Sequence, residues 1–192
     1  RDAARETLLN LARQKSRPYR DDSDSRDDWI LAQYGLLMSF PHLNGDGQLE
    51  ALLSLNSYGP PLLDLADVLK EATPAALERA LDRCVQSDDP DFKMTILMFA
   101  RYSATEMTEQ SVVSLRNLAN DDKSSVRSIA IGTLVDLDDA EFIQAFANSQ
   151  WDANALNARE CHFERWDGAR AIAKAYRHGR LSEQSAVRRV SR

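Results

Sequence analysis

The sequence predicts an all-α protein, and three observations lead there. Apolar residues recur at helical spacing along most of the 192 residues, cut into short segments by Pro and by Asp- or Asn-rich turns. No stretch alternates β-branched and polar residues as a half-buried strand does. From Thr73 onward the punctuation becomes regular and the segments begin to repeat. With 43% hydrophobic and 28% charged residues, a chain of this length buries a core without staples.

In ARETLLNLARQ, Leu8, Leu11 and Ala12 have helical spacing and Pro18 ends the run. RDDSDSRDD at 20–28 is a charged linker, and a second helix carries Trp29, Ile30, Leu36, Leu37 and Phe40. HLNGDGQLEALL at 42–53 imitates a calcium loop, with Asn44, Asp46 and Gly47 at loop positions 3, 5 and 6. His42 and Leu53 stand where carboxylates would close the shell, so a tight turn followed by a helix over 47–55 is expected. Asn56–Pro61 breaks the chain, and Pro61 opens LLDLADVLKEA. These residues, 1–60, form an irregular N-terminal helical cap; repeats follow over 61–180, and 181–192 is a basic tail.

Thr73-Pro74 has the form of an N-cap with Pro at the first helical position, starting TPAALERALDRCVQ. Ser87–Pro90 turns the chain into PDFKMTILMFARY, and Thr108 caps TEQSVVSLRNLA. Asn120–Asp122 turns into SSVRSIAIGTLVDL, and Asp138 with Glu141 has capping-box spacing ahead of AEFIQAFA.

Shifted by 34 residues, Leu81 falls on Leu115, Cys84 on Leu118, Asp88 on Asp122, Phe92 on Val126 and Lys93 on Arg127. Each unit is a helix, an Asp-rich turn, then an apolar and a basic residue opening a second helix. At a shift of 43, ARAIAKA (169–175) matches VRSIAIG (126–132), with Arg170 on Arg127 and an insertion around WDANALNARECHFERW. NDDKSSVRSIAIGTL resembles a HEAT repeat, and the resemblance covers about residues 73–179. It implies a short HEAT-like α-solenoid in which stacked hairpins bury one another's apolar faces. It also implies that Lys93, Arg127 and Arg170 are scaffold parts, bonding along a ladder of inter-helix turns.

Two cysteines are too few for a disulfide framework, and together with the absence of a signal-peptide pattern they favour the cytoplasm. WILAQYGLLMSF is too short to cross a bilayer, so no membrane is expected. The chain opens on Arg1 rather than Met, as a fragment or processed form does. Its net charge of −6 is uneven. Residues 1–20 carry +4, 21–158 carry −15 and 159–192 carry +5. An acidic middle repels phosphate backbones and attracts a basic protein.

Catalytic and metal signals are weak. Cys161 and His162 are adjacent, and neighbours on a helix point about 100° apart. No C-x-x-C, H-x-x-x-H, G-x-S-x-G or phosphate-binding glycine motif is present. No catalytic residue, metal or cofactor is therefore assigned, and Cys84 is a core position. Paired acids precede the expected helices, where carboxylates cap N–H groups and meet the positive end of the dipole. The candidate partner-binding residues are Asp88, Asp89, Asp121, Asp122, Trp151, Arg159 and Trp166, because Trp and Arg dominate interfaces and the acids suit a basic partner. The expected function is a non-catalytic protein-binding scaffold, adaptor or inhibitor, of the kind that small acidic immunity proteins are toward toxins. The alternatives are a HEAT-like nucleic-acid-modifying enzyme resembling DNA glycosylases, a chromophore lyase on the same repeats, or an interaction module of a larger regulatory protein.

Overall fold

The computed structural model describes residues 40–54, 69–103, 106–151 and 162–190. Every regular element among them is helical. The helices expected before residue 39, the part of the expected helix LLDLADVLKEA up to Val68, the 20–28 linker and most of the 151–166 insertion lie outside the described residues. The last four residues of that expected helix, 69–72, are not helical, and the Lys70 amide bonds the Gln48 side chain instead of a helical carbonyl. Contacts divide the chain into two units, Arg1–Thr108 and Glu109–Arg192.

In the first unit a 3-10 turn, Phe40–His42, leads into α1 (Gly45–Ser54), followed by α2 (Pro74–Gln86) and α3 (Pro90–Ser103). The three helices pack on one another around Leu49, Leu52, Leu77, Leu81, Ile96 and Phe99. The calcium-like stretch is a clasp. Asn44 Oδ1 accepts from the Gly47 amide at 3.0 Å, so the helix starts at Gly45, two residues earlier than the turn chemistry suggests. Asp46 accepts from the Thr73 amide at 2.6 Å and its hydroxyl at 2.9 Å. The buried Gln48 donates to the Phe40 carbonyl at 3.0 Å and accepts from the Lys70 amide at 2.7 Å. Gly45 lies so near Glu71 that a Cβ there would sit 1.9 Å from the Glu71 carbonyl oxygen.

Thr73 caps α2 by accepting from the Ala76 amide, and Pro74 occupies the first turn, where an N–H has no partner in any case. The buried stripe Ala76, Leu77, Ala80, Leu81 and Cys84 has the helical spacing that the sequence promised. Thr108, just before the next helix, also reaches back, its hydroxyl donating to Glu78 on α2 at 2.5 Å.

The second unit holds α4 (Glu109–Leu118), α5 (Ser124–Asp136), α6 (Ala140–Asn148), α7 (His162–Arg177) and α8 (Glu183–Val190). Helix α5 packs on α4 and, most extensively, on α7, which also receives α6 and α8. Contact on more than one side explains why α5 is buried nearly all round, from Val126 through Ala130, Ile131 and Val135. No helix among the described residues is long and apolar enough to cross a membrane.

Two helix ends in this unit are built alike. At the end of α5 the Asp139 amide donates to Leu134 O and the Asp138 amide to Val135 O. At the end of α7 the Arg180 amide donates to Ala175 O and the Gly179 amide to Tyr176 O. Both are six-to-one, five-to-two closures that need a left-handed residue. Gly179 supplies φ 68° in one, and Asp138 supplies φ 58° in the other. Because Asp138 closes α5, the cap of α6 falls to the next residue, and Asp139 accepts from the Phe142 amide at 2.6 Å.

Candidate functional site

The paired acids at the helix-pair turns divide their work. In the first unit Asp89 Oδ1 accepts from the amides of Asp91 at 2.9 Å and Phe92 at 3.3 Å, starting α3, while Asp88 is exposed. In the second unit Asp121 Oδ1 accepts from the Lys123 amide at 2.9 Å, while Asp122 is exposed. One carboxylate of each pair holds its own backbone, and the other meets solvent.

The repeat's basic positions are engaged within the fold. Arg127 Nη1 donates to the carbonyls of Asp121 (2.7 Å) and Asp122 (3.0 Å), closing the turn. Its Nε and Nη2 then donate to Glu164 at 3.1 and 2.9 Å, in the parallel-fork geometry that suits guanidinium and carboxylate. Arg170 bonds Asp136 and, at 3.1 Å, Asp167. Lys93 is half-buried in the first turn of α3, and its amide donates to Asp89 O.

These contacts form a row of rungs between α5 and α7. Arg127 meets Glu164 near the starts of both helices, and Ser128 donates to Asp167 at 3.0 Å. Near their ends Lys174 donates to Val135 O and pairs with Asp138, with His178 3.4 Å from the same carboxylate. The two helices therefore run parallel. Residues 37 to 39 apart are joined by the rungs Arg127–Glu164, Ser128–Asp167 and Val135–Lys174. The 43-residue match set Arg170 on Arg127, yet Arg170 sits on Asp136 at the far end. Its place in mid-α7 explains this, since Arg127 is in the first turn of α5.

Sequence reasoning missed Glu164 and Asp167, both only 4% exposed. Their signal was available: they share a helical face with the buried Ala171, so they had to meet cations inside the fold. It also missed Arg116, which pairs with Asp139 at 2.7 Å and Glu141 at 2.5 Å.

Of the aromatic candidates, Trp151 is half-buried, its ring 5.5 Å from Phe146 and laid over Gly168. Its Nε1 is buried without a hydrogen-bond partner. Trp166 is 68% exposed. Arg159 and Cys161 lie outside the described residues. Cys84 is fully buried, and burial pushes its thiol far above the ordinary range, against the weaker opposing pull of Lys93 and Arg83. Among the described residues no group of three or more His, Cys, Asp or Glu side chains is placed to hold a metal ion.

A scan against protein-family models finds no match for the chain, and searches of curated proteins and of solved structures find none either.

Proposed function

We propose that this chain is a non-catalytic, cytoplasmic protein-interaction scaffold of HEAT-like stacked hairpins that binds a basic protein partner. The observation that supports it is the division of labour at the turns. Asp88 and Asp122, equivalent positions of the 34-residue repeat, stand exposed, while Asp89 and Asp121 secure the backbone behind them. The parallel α5–α7 rungs support stacking of hairpins, and the acidic balance of residues 21–158 supports the sign of the partner. Trp151 serves this scaffold from within, holding α7 to α6.

Affinity capture from native lysate tests the proposal, with washes at about 50 and then 300 mM salt, across which the Debye length falls from about 14 to about 6 Å. A basic protein retained in a defined ratio and released by salt is the expected result. D88N/D122N should weaken that capture without loss of helix content, because neither side chain caps a helix in the manner of Asp89. Retention of nucleic acid or a small molecule in place of a protein would overturn the proposal.

A further inference from the structure

Helix α7 packs against α5, α6 and α8, yet its outer side carries an organised apolar line of its own. Trp166, Ala169, Ala173 and Tyr176 follow at intervals of three, four and three, the a/d spacing of a coiled-coil seam. Trp166 is 68% and Tyr176 44% exposed, Ala173 is exposed and Ala169 half-buried. Two bulky rings thus bracket two alanines, a shape that admits a neighbouring helix closely along its middle. Exposed aromatic residues so placed are costly in water and are the types that anchor interfaces.

The flanking positions decide what fits. Arg165 lies on one edge of the seam and Arg170 and Arg177 on the other; Arg165 is half-exposed and Arg177 exposed. No a, d, e or g position of the seam is acidic. In paired helices these edge charges select the partner by sign. Symmetric pairing with α7 of a second copy would set arginine against arginine, in parallel or antiparallel orientation. A phosphate backbone is disfavoured by the acidic balance of the rest of the chain. We infer that the outer face of α7 is a docking seam for an acidic amphipathic helix of another protein, which inserts apolar side chains beside Ala169 and Ala173 and sets carboxylates against Arg165 and Arg177. This seam is opposite in sign to the acidic turns of the proposed scaffold and stands or falls independently of them.

The test uses the full chain and two labelled three-heptad peptides with Leu at a and d, one carrying Glu and the other Lys at every e and g. Fluorescence anisotropy should report binding of the Glu peptide, weakened at least about thirtyfold by W166A, the threshold for a hot-spot side chain. Any binding of the Lys peptide to the acidic turns should be indifferent to W166A. R165E/R177E should transfer Trp166-dependent binding from the Glu peptide to the Lys peptide, a gain that a misfolded variant cannot produce. Failure of the Glu peptide to bind, or binding unchanged by W166A, overturns the inference. So does Trp166-dependent binding of a single-stranded oligonucleotide in place of the Glu peptide, which would mark a nucleic-acid surface. Concentration-dependent sedimentation abolished by W166A would assign the seam to a second copy and overturn it equally.

Discussion

Arg127 grips Glu164 with two hydrogen bonds while a third donor of the same guanidinium holds the turn that precedes it. The side chain thereby ties the turn before α5 to the start of α7. Glu164 is nearly buried, with only 5% of its side chain exposed, whereas Arg127 keeps 25%. Removing the arginine leaves a buried charge uncompensated. R127A is expected to destabilise the second unit by about 2–3 kcal/mol, below the full range for a buried pair because Arg127 is partly solvated. Denaturant unfolding should show a lower midpoint at unchanged slope, with amide exchange accelerating first in α5 and α7. E164Q should cost less, since the amide keeps one acceptor. A smaller effect of R127A than of E164Q would refute this account.

Two glycines are spaces that a neighbour already fills. A Cβ on Gly168 would lie 2.2 Å from Cζ2 of Trp151, and one on Gly45 would lie 1.9 Å from Glu71 O. The first obstacle is a side chain that can move; the second is backbone that cannot without opening the clasp. G168A should therefore destabilise by about 1–3 kcal/mol, the usual range for overpacking, and G45A by more. The Trp151 contribution to near-ultraviolet circular dichroism should change in G168A and not in G45A. W151L should relieve most of the G168A penalty.

The helical nature of the described segments was legible because their cores obey one period. Ala76, Leu77, Ala80, Leu81 and Cys84 lie on one face, and Thr73-Pro74 announces the start. What escaped was side-chain pairing at long range. Nothing local in NGDGQ says that Asp46 and Gln48 will bind residues 73 and 70, so the stretch read as a spoiled ion site or a simple turn. Asp138 escaped for a related reason: a left-handed closing residue is expected to be Gly, as Gly179 is, and an aspartate there mimics a cap. The seam on α7 was hidden by assigning Trp166 to the insertion rather than to the helix that continues to Arg177.

Asp138 gives the second unit a distinct acid response. Its carboxyl is held below the usual range first by the hydrogen bond from Lys174; desolvation opposes this, and the nearby charges of Lys174, His178 and Arg177 add to the lowering. A depressed folded-state value means that the stabilisation is complete above the unfolded value of about 3.9 and is lost as pH falls through the lower folded one. Carboxyl titration by NMR should place Asp138 below the other exposed aspartates, and K174M should return it toward them. D138N should flatten the part of the stability profile that lies below the unfolded value of about 3.9. D138G separates the two roles of the residue, since it relaxes the left-handed backbone while removing the ion pairs.

Cys84 supplies a probe of the first unit. Its thiol is fully buried on α2, and desolvation raises its pKa well above the ordinary value. A raised folded-state value contributes stability that is complete below the unfolded value of about 8.5 and is lost as pH rises through the folded one. In a C161S background, which leaves one thiol, labelling by a thiol reagent at pH 8 should be slow and should follow the opening of α2. Weakening the clasp with D46A, which removes both bonds to Thr73, should accelerate it by about tenfold if the clasp contributes roughly 1–2 kcal/mol of local stability. R127A acts in the other unit and should leave the labelling rate unchanged. Equal acceleration by D46A and R127A would show that the two units open together.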